Sequence, residues 1–130
     1  MNKRGCWQPW YPLALWIVAI PILLLTPDAE AVGWLERRLE PWSPALLLFL
    51  ETWGDKFVHA LLFAMGAFLF HRAGLRLLPA LVASALYGAA MEGAQFAFPP
   101  RSPDALDALA NAVGSGLYGL LVLGTRRWQR

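Results

Sequence analysis

The chain has 130 residues, 58% of them hydrophobic and only 15% charged, where a soluble domain carries about 25% charge. The net charge is only +2, and the basic residues are not interleaved with aromatics on a polar surface, which excludes nucleic acid as the natural partner. The lone Cys6 excludes an internal disulfide and any cysteine-based metal site.

The apolar residues fall in long blocks. The fold class expected is therefore all-α: an integral membrane bundle of four transmembrane helices with a short outer interfacial helix, forming a single domain over residues 1–130. The first apolar segment covers residues 10–25. It is shorter than the roughly 20 residues that normally cross the hydrocarbon, and Pro21 inside it predicts a kink or a loosened last turn. Residues 26–54 read as an outer connection. Within it Ala29-Glu30-Ala31 resembles a signal-peptidase site, but its prolines and its distance from Met1 favour retention of the first segment. Ser43-Pro44 reads as an N-cap followed by a first-turn proline. The next six residues, 45–50, form the interfacial helix, with Trp34, Trp42 and Trp53 as headgroup anchors. The remaining apolar segments cover 57–70, 77–98 and 105–123. Pro99 and Pro100 end the third, and Ser102-Pro103 starts the fourth.

Charge placement sets the orientation. Lys3, Arg4, Arg72, Arg76, Arg126, Arg127 and Arg130, seven of eleven basic residues, fall on one side, and the nine acids lie on or near the other. The positive-inside rule makes the first side cytoplasmic. Both termini are then inside, and the acidic end opens outward.

Polar residues interrupt the spans where lipid makes them expensive. Glu92 lies in the third span, and a carboxylate at the bilayer centre costs about 2.5–3.5 kcal/mol on insertion scales. Gln95 follows three residues later, facing nearly the same direction. Asp55, Lys56 and His59 are spaced to share the outer turns of the second helix. In the fourth, Asp104, Asp107, Asn111 and Gly114 step by three, four and three, so they form one stripe. That stripe is expected to face Glu92 and His59. Asp104 alone is explained by a helix N-terminus; Asp107 and Asn111 lie deeper and are not. Ser84–Gly88 and Ala89–Gly93 are small-xxx-small pairs, and Gly114, Gly116 and Gly119 predict close helix packing at the inner end.

Taken in order, Asp55-Lys56-x-x-His59, Glu92-x-x-Gln95 and Arg101-x-x-Asp104-x-x-Asp107-x-x-x-Asn111-x-x-Gly114 resemble the VanZ-like family of small bacterial membrane proteins. The resemblance covers residues 55–123, over half the chain. Pro100 departs from it, since the family usually has Gly before the Arg. The resemblance implies a multi-pass protein of the bacterial inner membrane, linked to the cell envelope and to resistance against the glycopeptide teicoplanin. It implies no certified reaction.

Two readings of the polar set follow. As an enzyme, the chain takes Glu92 or His59 as base with Asp107 as its orienting partner. Carboxylates in low dielectric and imidazole both suit proton transfer near neutral pH. Asp55, Lys56, Gln95, Arg101, Asp104 and Asn111 bind the substrate, with Lys56 and Arg101 on its anionic part. The expected partner is a membrane lipid or lipid-linked envelope precursor. No nucleophile is in place, because Cys6 falls on the wrong side and Ser102 is a cap, so water or a substrate hydroxyl attacks directly. As a binder, the same pocket sequesters an amphiphile or docks another membrane protein without turnover. Hard ligands around His59 suit a divalent ion in principle, but no tight ligand spacing singles one out, so neither metal nor cofactor is expected.

Overall fold

The structure, a computed structural model, describes residues 10–25, 43–97 and 104–128. Cys6, the 29–31 run, Trp34, Trp42, Arg101 and the Ser102-Pro103 step lie outside the described residues. The described chain is all helical. Its elements are α1 (Tyr11–Leu25), α2 (Pro44–Phe49), a π-helical turn (Leu50–Gly54), α3 (Asp55–Arg72), α4 (Leu77–Gln95) and α5 (Ala105–Trp128).

Three stretches, Thr52–Arg72, Leu77–Gln95 and Ala105–Arg127, are long and apolar enough to cross a membrane. α1 is apolar but has only 15 residues, which rise roughly 22 Å against about 30 Å of hydrocarbon. α3, α4 and α5 pack pairwise into a bundle, and α1 lies against α3 and α4. All of these helices leave large apolar side chains exposed, among them Leu15, Leu61, Leu78 and Leu121 at 68–70%. The interior, by contrast, buries His59, Glu92, Asp107 and Asn111. An apolar exterior around a polar centre suits a bundle surrounded by lipid.

Local chemistry explains the joints. α3 ends in a Schellman motif: Gly74 N–H donates to His71 O (3.1 Å) and Leu75 N–H to Phe70 O (3.2 Å). Gly74 takes φ +111 there, a conformation open to glycine. α5 begins at Ala105, and Asp104 is its cap, since Asp104 Oδ1 accepts Leu106 N–H at 2.8 Å. Asp104 thus stands just outside the first turn where the sequence placed it.

The outer connection differs from expectation too. α2 runs into α3 through the π turn, with Phe49, Gly54 and Asp55 all in right-handed helical conformation. Asp55 therefore lies inside a continuing helix rather than at a free helix start. Single π turns inside α-helices are frequent at functional sites, and this one directly precedes Asp55, Lys56 and His59.

Pro21 does not end α1, which continues to Leu25. Proline has no N–H, so the carbonyl four residues back loses its helical donor. That carbonyl belongs to Ile17, and Tyr87 OH on α4 donates to it at 2.6 Å. Gln95 Nε2 reaches Leu24 O at the end of α1, at 3.4 Å. Trp16 packs edge-on against Phe63, with ring centroids 5.6 Å apart, in a site open because residue 66 is glycine: a β-carbon there would lie 2.5 Å from the indole.

The close approaches are selective. A methyl on Gly114 would collide with the backbone carbonyl of Ala60 on α3, and one on Gly88 would come within 2.7 Å of the Asn111 amide. Gly119 meets Leu81, as expected of a packing glycine. Gly116 and Gly93 face open space. Of the two small-residue pairs, Ser84–Gly88 is buried and Ala89–Gly93 is exposed.

Candidate functional site

The polar side chains meet at the end of the bundle where α3 starts, α4 ends and α5 starts. His59 is fully buried at its centre. Its Nδ1 lies 2.9 Å from Asn111 Oδ1 on α5. An amide oxygen only accepts, so with the Asn111 amide in this orientation Nδ1 is the donor of the pair. Glu92 Oε1 on α4 lies 3.6 Å from the same nitrogen. On the opposite side of the ring, His59 Nε2 is 3.7 Å from Asp55 Oδ1 and 3.9 Å from Asp107 Oδ2. Both distances exceed hydrogen-bond range.

Lys56 bridges α3 to α5. Its Nζ lies 2.8 Å from Asp104 Oδ2 and 2.8 Å from Asp107 Oδ1. The first contact is a directed hydrogen bond. The second is an ion pair at an angle that leaves Asp107 Oδ1 without a well-aligned donor among the described residues. The Lys56 ammonium, aided by the Leu106 N–H, holds the Asp104 carboxyl below the usual carboxylate range. Asp104 also offers its own N–H to Glu92 Oε2, at 3.4 Å.

Three buried polar atoms of this layer have no hydrogen-bond partner among the described residues, His59 Nε2, Glu92 Oε1 and Asn111 Nδ2, while Asp107 Oδ1 has its ion pair with Lys56. Asn111 Nδ2 lies beside the Glu92 carboxylate. Buried polar groups in folded proteins are almost always paired, so a concentration of orphans in one layer is a local departure that points to a ligand.

Of the residues singled out in the sequence, Asp55, Lys56, His59, Glu92, Asp104, Asp107 and Asn111 come together. Gln95 is buried one turn below Glu92 but its amide turns to α1. Arg101 lies outside the described residues. Two roles change. Asn111, not Asp107, holds the imidazole in hydrogen-bond range. Lys56 is committed to two carboxylates rather than free for an anion. A second polar pair, at the inner end, is not among the residues the sequence singles out: His71 Nδ1 lies 2.8 Å from Tyr118 OH. His71 lies in the last turn of α3 and Tyr118 in the middle of α5, so no shared spacing links them in the sequence.

No family model matches the chain, and no curated protein and no solved structure gives a match to it.

Proposed function

We propose that this is a VanZ-like multi-pass protein of the bacterial inner membrane, with α1 as a fourth, short span and both termini cytoplasmic. Its polar layer opens outward and binds, and acts on, the headgroup of a lipid or lipid-linked envelope molecule. Arg72, Arg76, Arg126 and Arg127 at the opposite end of the bundle support that orientation. A role in resistance to teicoplanin, itself a lipid-bearing glycopeptide, fits the same amphiphile-binding pocket.

The observation that carries this reading is His59: fully buried, contributed by α3, and surrounded by carboxylates from three helices with polar atoms left unpaired. A structural network has little use for such an arrangement, because interhelical hydrogen bonds in membranes average only about 0.6 kcal/mol. With the proton on Nδ1, His59 Nε2 is the basic nitrogen. It faces Asp55, whose side chain is 56% exposed, so a headgroup hydroxyl or a water reaches it from the outer side. Glu92, on the opposite side of the ring, stabilises the imidazolium that forms.

The test is turnover and retention together. Purified protein presented with mixed envelope lipids converts one of them, and Glu92→Gln and His59→Gln abolish conversion while the variants stay folded. The binder reading is favoured by one specific observation: Ser84 and Ser115, the buried hydroxyls nearest this layer, are both committed to backbone carbonyls. Retention of an amphiphile without any product across that panel would establish the binder; neither retention nor product would refute both.

A further inference from the structure

The outer side of the cluster gathers three lone-pair donors around one point. Asp55, His59 and Asp107 each direct one ligand atom there, all within 4.8 Å of one another. A four-coordinate ion with bonds of about 2.0–2.2 Å separates its ligand atoms by roughly 3.3–3.6 Å. The 3.7 and 3.9 Å separations from His59 Nε2 need only a few tenths of an ångström of closure, and Asp55 at the exposed margin is free to supply it.

The decisive second feature is the imidazole. His59 is fully buried, and its Nε2 has no hydrogen-bond partner among the described residues. The other nitrogen donates to Asn111 Oδ1, so in the neutral ring Nε2 presents a lone pair. In that form Nε2 and the two carboxylates beside it are three electron-rich groups facing each other. Lys56 relieves this only from behind: its Nζ lies 2.8 Å from Asp107 Oδ1 and 4.0 Å from Asp55 Oδ2, on the oxygens turned away from Nε2. A metal-bound histidine typically donates its second ring N–H to a fixed acceptor, as His59 does here. Counting Asp55, Glu92, Asp104 and Asp107 against Lys56, the cluster carries a formal excess of negative charge, which favours a cation over an anion as its first ligand.

We propose that Asp55, His59 and Asp107 bind one divalent cation, of the zinc or manganese class that accepts a mixed imidazole and carboxylate set. Three protein ligands leave a coordination position open towards the exposed Asp55 side. That position gives an anionic headgroup a way to dock in an acidic pocket, and it hands the basic role of His59 to ion-bound water. The ion site does not rest on the lipid reading, because it is measured in detergent with no lipid substrate present.

The experiment uses the full chain, stripped with a chelator, dialysed, and titrated with Mn²⁺ while free ion is followed by electron paramagnetic resonance. Zn²⁺ is then added as competitor. The expected result is one ion per chain, displaced by Zn²⁺. Asp55→Asn weakens binding at least about tenfold, and His71→Gln, which alters the histidine at the other end, leaves it unchanged. Because Asp55 is largely exposed, its variant keeps the fold even if His59→Gln does not. Failure of the wild type to bind above the Asp55→Asn background would overturn the site, as would equal losses in Asp55→Asn and His71→Gln. Metal binding without lipid conversion would leave the ion site standing and count against the enzyme reading alone.

Discussion

His59 and Phe63 are one turn apart on the same face of α3, and both are fully buried, yet their surroundings are opposite in kind. Around Phe63 the layer is apolar and packed, and the Trp16 indole Nε1 is its buried atom without a hydrogen-bond partner among the described residues. Trp16 and Tyr87 pack against its ring, Ser84 Oγ donates to its carbonyl at 2.7 Å, and Ser115 Oγ donates to Asn111 O at 3.0 Å. The hydroxyls in that layer are used up on backbone acceptors. Around His59 the polar groups are mostly ionisable, come from three helices, and leave three buried atoms, His59 Nε2, Glu92 Oε1 and Asn111 Nδ2, without a hydrogen-bond partner among the described residues. The difference teaches which layer holds the helices together and which is held open for something else. The bundle is stabilised from the inner half, and the outer half is free to carry charge because the inner half does not depend on it.

The contrast can be broken at several points. Phe63→Ala should have the largest effect on stability, about 3 kcal/mol, the low end for such a truncation, because lipid as the surrounding solvent removes the water-transfer contribution. Chemical denaturation in detergent, followed by tryptophan fluorescence, measures it. Gly114→Ala comes next, at about 2 kcal/mol, since the obstacle is the Ala60 backbone carbonyl rather than a side chain that can swing away; the same denaturation series reads it. Tyr87→Phe frees the Ile17 carbonyl that Pro21 cannot serve, and should loosen α1 by about 1 kcal/mol, seen as faster proteolysis or hydrogen exchange confined to residues 11–25.

In the outer layer the expectation reverses. Glu92→Gln should change stability by less than about 1 kcal/mol while abolishing ligand retention, because the residue is kept for its charge. The smallest effect is that of pH on Asp104. Its carboxyl is held below the usual range by Lys56, so its stabilising contribution is complete above the unfolded value of about 3.9. The contribution is lost as pH falls through the depressed folded value. The difference in thermal midpoint between wild type and Asp104→Asn should therefore be constant from pH 7 to 5 and shrink on further acidification.

Much of this arrangement is legible in the chain itself. The 104, 107, 111, 114 spacing places one stripe on α5, and the structure turns its last three residues inward, with Asp104 at the cap. The Asp55-to-His59 interval likewise identifies one face of α3. What spacing does not reveal is which neighbour a buried face meets. Glu92 and Gln95 lie within 60° of each other by helical geometry, yet one faces His59 and the other Leu24, because α4 packs against α1 as well as against α3 and α5. The pairing of Asn111 with His59 depends on docking distances that Gly88 and Gly114 permit, and periodicity contains no distances. Gly116 departs from the packing role its spacing suggests: two residues beyond Gly114 is about 200° around the helix, hence the exposed side.

Native mass spectrometry of the protein released directly from membranes, wild type beside Glu92→Gln, probes the division of labour between the two layers most directly. The account predicts a bound amphiphile on the wild type at one per chain, and a folded Glu92→Gln variant of equal thermal stability that emerges bare. A wild type that is equally bare, paired with a Glu92→Gln variant that unfolds, would show that the outer layer is structural after all.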